Sequence, residues 1–188
     1  MQSLIDTFEF QEDVSEVLKK KYEGFIPSEL LKFWDEHGLG LVLGGYLRII
    51  NPDDYLKVIR ETFLRSEDVI PIFSTAMGDL LCWQKDPIDN SDGFIMQLNY
   101  RKGISKIIAF EFDLFVKFLT EEPSFRVKKM DWQPYIEAAK RNGPPEYDEC
   151  FGYVPLLGLG GDEKVENLKK VKIVEHIYLI KELIGPIE

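Results

Sequence analysis

The run Leu157-Gly-Leu-Gly-Gly-Asp162 sets three glycines within four residues, and glycines of this kind expose backbone N–H groups that can cradle an anion. The surroundings argue against a phosphate loop. No Gly-Lys-Ser or Gly-Lys-Thr follows, the spacing is not that of a dinucleotide fingerprint, and Asp162-Glu163 would put two negative charges where phosphate would sit. The run reads as a structural turn. His37 and His176 are the two histidines, neither in a metal-ligand or catalytic spacing such as His-Glu-x-x-His. His37, beside Gly38, suits the end of a helix; His176 follows Glu175 at a helix start. Cys82 and Cys150 lie in apolar stretches and read as small buried residues, too few for a disulfide framework or a paired-cysteine metal site. A Cys150–His pair could meet only through the fold, and no second residue pattern supports one.

The acidic pairs Asp53-Asp54, Asp148-Glu149 and Asp162-Glu163 offer hard oxygen ligands, but no calcium-loop spacing accompanies them. In a chain with 33 acids they read as solvated carboxylates, and the sequence calls for no metal and no cofactor. Tyr135 and Tyr147 flank the Asn142-Gly-Pro-Pro145 link, with Asp148 and Glu149 close behind. Aromatic anchors with an acidic rim suit a surface that meets a basic protein; packing of the two tyrosines inside the fold is the competing reading.

Charge and composition narrow the function classes. The net charge is −10, and it is uneven: residues 1–123 carry 22 acids and 13 bases, whereas 124–188 carry 11 and 10. Such a front half repels phosphate backbones and draws cationic surfaces, which excludes direct nucleic-acid binding as the expected activity. Solubility alone also accounts for an acidic chain. The start of the chain, with Asp6, Glu9, Glu12 and Asp13, lacks a signal-peptide pattern, and no apolar run is long enough to span a bilayer, so a cytoplasmic location is the expectation.

The elements that must position these groups follow from periodicity. Asp13 or Ser15 caps a helix through Tyr22; Pro27 opens another that ends at Gly38. Residues 39–45 read as a glycine-rich link into a short strand, Tyr46–Ile50, and Asn51-Pro52 opens a helix to about Leu64. From Val69 the pattern shifts to short β-branched and aromatic runs, 69–74, 80–84, 94–100 and 105–110, joined by modest turns as an antiparallel meander. A helix capped by Asp113 closes at Glu121-Glu-Pro123, and another runs from Trp132 to Arg141. Phe151 begins a buried strand, residues 165–174 suit a strand, and 175–184 suit a helix stopped by Gly185-Pro186. The fold class is α+β: a central antiparallel sheet flanked by helices with a small C-terminal α/β subdomain, divided near Pro123 into 1–123 and 124–188.

Phe151-Gly-Tyr-Val-Pro-Leu-Leu-Gly-Leu-Gly-Gly161, with Glu166-Asn-Leu-Lys-Lys-Val-Lys172 and Glu175-His176, resembles the C-terminal domain of bacterial proteins that begin with a GAD-like domain. Phe25-Ile-Pro-Ser-Glu-Leu-Leu-Lys-Phe-Trp34, Gly38, Asn51-Pro52-Asp53, Val69–Ser74 and Gly78-Asp79 match the N-terminal part more loosely, in a pattern shared with other bacterial immunity proteins. That family includes immunity proteins of type VI secretion systems, so the resemblance implies a non-enzymatic protein that masks a cognate toxin, a basic nuclease, by stoichiometric binding. Partner-binding residues expected on that basis are Asp53, Asp54, Asp86, Asp89, Asp92, Tyr135, Tyr147, Asp148 and Glu149, with Glu23, Glu67 and Asp68 as further acids of the front part. The alternative is a regulatory or scaffold interaction module without a toxin.

Overall fold

A computed structural model describes residues 2–86 and 93–188. Seven strands form one antiparallel sheet in simple sequence order: β1 (Glu9–Glu12), β2 (Leu39–Val42), β3 (Leu47–Ile49), β4 (Val69–Thr75), β5 (Leu80–Lys85), β6 (Gly93–Asn99) and β7 (Ile104–Phe110). The last four are the meander expected from the sequence. β1 and β2 are additions. Leu39-Gly-Leu-Val pairs with both neighbours instead of serving as a link, and its glycine has a packing reason: a Cβ on Gly40 would lie 2.2 Å from the Glu9 carbonyl oxygen and 2.7 Å from the Phe8 ring.

Helices cover both faces of the sheet, so the middle strands bury side chains in both directions. α1 (Gln2–Ile5), α2 (Glu16–Tyr22) and α3 (Ser28–His37) precede β2, and α4 (Asp53–Thr62) joins β3 to β4. Ser15 caps α2 by accepting from the Leu18 N–H at 3.2 Å. In β5, Leu81 and Trp83 enter a core with Leu30, Phe33, Trp34, Phe73 and Phe115, while Leu80 and Cys82 enter a second core with Tyr55, Val58, Ile59 and Leu98. This two-sided burial explains why the Leu80–Trp83 run is wholly apolar.

After β7 come α5 (Phe112–Glu121), α6 (Pro123–Lys129) and α7 (Trp132–Asn142). From the sequence, Glu121-Glu-Pro123 ends the preceding helix and no helix is expected to begin there. The proline instead takes the first turn of α6, where its missing N–H costs no hydrogen bond, and Phe125 packs against Phe115 and Phe118. β8 (Glu149–Tyr153) and β9 (Leu168–Lys172) make a two-stranded antiparallel sheet, and α8 (Ile173–Ile184) follows directly. The Phe151 N–H donates to the Ala76 carbonyl at 2.7 Å, tying this small sheet to the large one. Phe151, Tyr153 and Leu168 complete the first core; Cys150, Ile173, Ile177 and Ile180 complete the second. Both cores therefore draw on residues from either side of Pro123.

Candidate partner-binding surface

α4 is a ridge between two hollows. Its start is fixed by Asn51, whose Oδ1 accepts from the Asp53 N–H at 3.1 Å. Asp53 and Asp54, exposed in the first turn, then point to different neighbours. Asp53 accepts from Lys21 Nζ and from the Tyr22 hydroxyl, each at 2.5 Å. Partial burial alone would raise the Asp53 pKa, but these two hydrogen bonds outweigh it and the pKa is lowered. Burial raises that of Asp54, with the like charge of Asp53 as the second cause.

On one side of α4, Leu56, Ile59 and Arg60 face Lys21, Tyr22, Phe25, Glu67, Asp68 and Asp86 across a hollow of about 740 Å³. Phe25 is 59 % exposed at its edge, and the Val69 and Ile70 end of β4 contributes apolar wall. On the other side, Asp54 and Tyr55 share a hollow of about 360 Å³ with Tyr147, Asp148 and Lys172. Lys172 bridges Asp148 at 2.7 Å and Glu149 at 3.6 Å, so these two acids are partly neutralised. Asp54, Glu67 and Asp68 make no ion pair among the described residues. Asp89 and Asp92 lie outside the described residues.

Tyr147 and Tyr135 separate. Tyr147 is half-buried beside the second hollow, its hydroxyl donating to the Ile49 carbonyl at 2.7 Å. It is held there by Arg48. That fully buried guanidinium donates to the carbonyls of Tyr46 (3.2 Å), Pro145 (3.3 Å) and Glu146 (3.2 Å), fastening the proline link to β3. Tyr135 is 2 % exposed and packs among Tyr46, Trp132 and Phe151, its hydroxyl donating to the Gly44 carbonyl. It offers no surface to a partner in this arrangement.

The groups with catalytic potential are disposed for structure. Burial pushes the Cys150 thiol up to about 12, while burial and the Arg101 charge hold His176 down at about 4. A thiolate–imidazolium pair requires the opposite of both shifts. Among the described residues no group of three or more His, Cys, Asp or Glu could hold a metal ion, and no helix is long and apolar enough to cross a membrane. Sequence reasoning missed the cluster that buried Asp79 and Arg101 form with half-buried Asp131. Arg101 Nη2 donates to Asp79 at 2.8 Å and to Asp131 at 3.0 Å, and Gln97 donates to the other Asp79 oxygen at 2.6 Å. Burial raises the Asp79 pKa, and Arg101 opposes that rise. Asp79 was legible only within the Gly78-Asp79 part of the family resemblance, and Arg101 only as an arginine in the tight turn Arg101-Lys-Gly103, where solvent exposure is the ordinary expectation.

Comparison with known proteins places the chain. The GAD-like domain family matches residues 1–91, and the family described as T6SS immunity protein Tdi1, C-terminal, matches residues 109–184. Residues 1–91 are thus a GAD-like domain, and residues 109–184 match the C-terminal domain of the T6SS Tdi1 immunity family. A crystal structure of Atu4351 from Agrobacterium tumefaciens has the same fold, with a TM-score of 0.69 at 17% identity over 92% of this chain and 84% of that one. No curated protein matched significantly.

In these terms the α4 ridge with its first hollow belongs to the GAD-like domain, and the immunity domain supplies Tyr147, Asp148 and Lys172 to the second. The glycine run of the immunity domain is a packing device. A Cβ on Gly158 would come within 2.8 Å of Ile184 and 2.9 Å of Leu183 on α8, and one on Gly161 within 2.1 Å of the Pro155 carbonyl oxygen. Asp162 pairs with Lys164 at 2.6 Å, beside the loop.

Proposed function

We propose that this immunity-family protein neutralises a cognate secreted toxin, a basic nuclease, by stoichiometric association in the cytoplasm that masks the toxin's working surface, with no turnover of its own. The observation that carries the reading is the ring of acids around α4. Asp54, Glu67 and Asp68 are exposed and without ion-pair partners among the described residues, and they border hollows with apolar walls and the exposed Phe25. Carboxylates of this kind stand in for the phosphates that a nuclease surface is built to meet, and apolar contact supplies the area that charge alone does not. Asp53, Asp86, Tyr147, Asp148 and Glu149 extend the same surface, and Asp89 and Asp92 join it on sequence alone.

Co-expression with the toxin encoded beside this gene tests the reading. Growth is expected to be restored, and the two purified chains are expected to co-elute from a sizing column at moderate salt. Separate elution together with failed rescue would refute it.

A further inference from the structure

Beneath the glycine run of the immunity domain lies a small cavity that shares no lining residue with the two hollows beside α4. Its polar wall is Arg101, His176 and Tyr153, and its apolar wall includes Leu157, Ile180 and Ile184. Arg101 is 5 % exposed and His176 4 %. Arg101 Nη2 is occupied by Asp79 and Asp131, but Arg101 Nε, Arg101 Nη1 and His176 Nε2 are buried without a hydrogen-bond partner in the protein. All three orphaned atoms belong to two residues that line this one cavity, and they call for an occupant, because a buried donor or acceptor left unpaired forfeits its hydration for nothing.

Size and charge identify the occupant. The cavity has room of about 10 Å³, the space of one water molecule and too little for a phosphate or carboxylate. An ion is disfavoured in either sign: the Arg101 charge repels a cation, and it is already faced by two carboxylates, leaving little to attract an anion. The imidazole, held neutral by burial and by Arg101, offers Nε2 as an acceptor when its proton sits on Nδ1. A molecule is needed that accepts from a guanidinium and donates to an imidazole.

We propose that a single buried water occupies this cavity, accepting from the Arg101 guanidinium and donating to His176 Nε2, and that it joins the turn between β6 and β7 to α8. Glycine at 152 belongs to the same arrangement, since a Cβ there would lie 2.4 Å from His176 Nε2 and Cε1 and displace the ring.

Crystals of the full chain provide the test. The expected result is one water-sized density peak about 2.7–3.2 Å from both Arg101 and His176 Nε2. A cavity without density overturns the proposal, and so does an anomalous peak there after a bromide soak, which would make it an anion site. Nitrogen-15 shifts of His176 in solution supply an independent measurement. A protonated Nδ1 and an acceptor-type Nε2 are expected, and a proton resident on Nε2 would rule out the donation. His176→Phe keeps a ring and removes the acceptor, so the water cross-peak expected for the Arg101 Nε–H should vanish; its persistence in a folded variant counts against the bridge. If that variant does not fold, the density and the tautomer of the unaltered chain decide.

Discussion

Arg48 is a cation buried among carbonyls, with no carboxylate in ion-pair range among the described residues; its pKa is lowered because burial disfavours the charge. Its position is sustained by three backbone acceptors, two of them on the Pro145-Glu146 link. Replacing a buried charge by an apolar group of like shape is often harmless when everything it touched goes with it. Here the carbonyls remain. Arg48→Met should therefore cost about 1–3 kcal/mol, read from the urea midpoint, and hydrogen exchange should show faster opening of residues 145–149 than of β4–β6. His176 gives a prediction in pH. Its folded pKa, about 4, lies below the unfolded value near 6.5, so the unfolded chain binds the extra proton first as pH falls. The stability tied to its neutral ring is complete above pH 6.5 and is lost progressively as pH falls towards 4. At about 1.4 kcal/mol per unit over about 2.5 units this amounts to at most about 3–4 kcal/mol. The titratable groups facing it across the cavity are Arg101 and Tyr153, neither of which changes charge in that window. His176→Phe should flatten that part of the pH–stability curve, measured by denaturant titration at several pH values.

At the scale of elements, glycines that look like punctuation are points of close approach. Gly40→Ala would drive a Cβ into the Glu9 carbonyl oxygen, a backbone atom that cannot swing aside. The expected outcome is detachment of β1, with amide protection lost over residues 9–12 while β4–β6 keep theirs, at a stability cost of about 1–3 kcal/mol. The same residues mark where the sequence could be read and where it could not. β4 through β7 were legible because β-branched and aromatic runs alternate with clear turns, and α2, α3, α4 and α7 because apolar residues recur at helical spacing between capping and stop signals. β1 was not, because Glu-Phe-Gln-Glu is exposed at all four positions and its pairing comes entirely from β2. α6 was hidden by a proline that opens a helix as readily as it ends one. Of the candidate surface, the acids around α4 were nameable but not their pairing. Lys21 reaches Asp53 across 32 positions of chain, and Lys172 reaches Asp148 across 24, contacts that only the fold creates. Tyr135 shows the limit most plainly: the same polar–aromatic side chain suits a core or an interface, and burial among Tyr46, Trp132 and Phe151 decided it.

For the whole molecule, the separation of charge matters more than its sum. Residues 1–123 hold nine more acids than bases and also carry exposed apolar groups such as Phe25, whereas residues 124–188 are nearly balanced. Long-range field and short-range contact act on different steps of association: charge accelerates encounter and is screened by salt, while desolvated apolar contact holds the complex once formed. The two contributions can therefore be separated by rates. Asp54→Asn, Glu67→Gln and Asp68→Asn combined remove three exposed charges that have no ion-pair partner among the described residues, so folding should be little affected. With the cognate toxin, the association rate at low salt should fall about tenfold, its dependence on ionic strength should flatten, and the dissociation rate should change little. Phe25→Ala should do the reverse, raising the dissociation rate while leaving the salt dependence intact. Stopped-flow or surface-based kinetics across a salt series reads both. Equal loss in both rates from the charge variant would mean that these acids sit inside the contact, bonded to specific groups, and association rates insensitive to salt in the unaltered chain would remove electrostatic attraction from the mechanism.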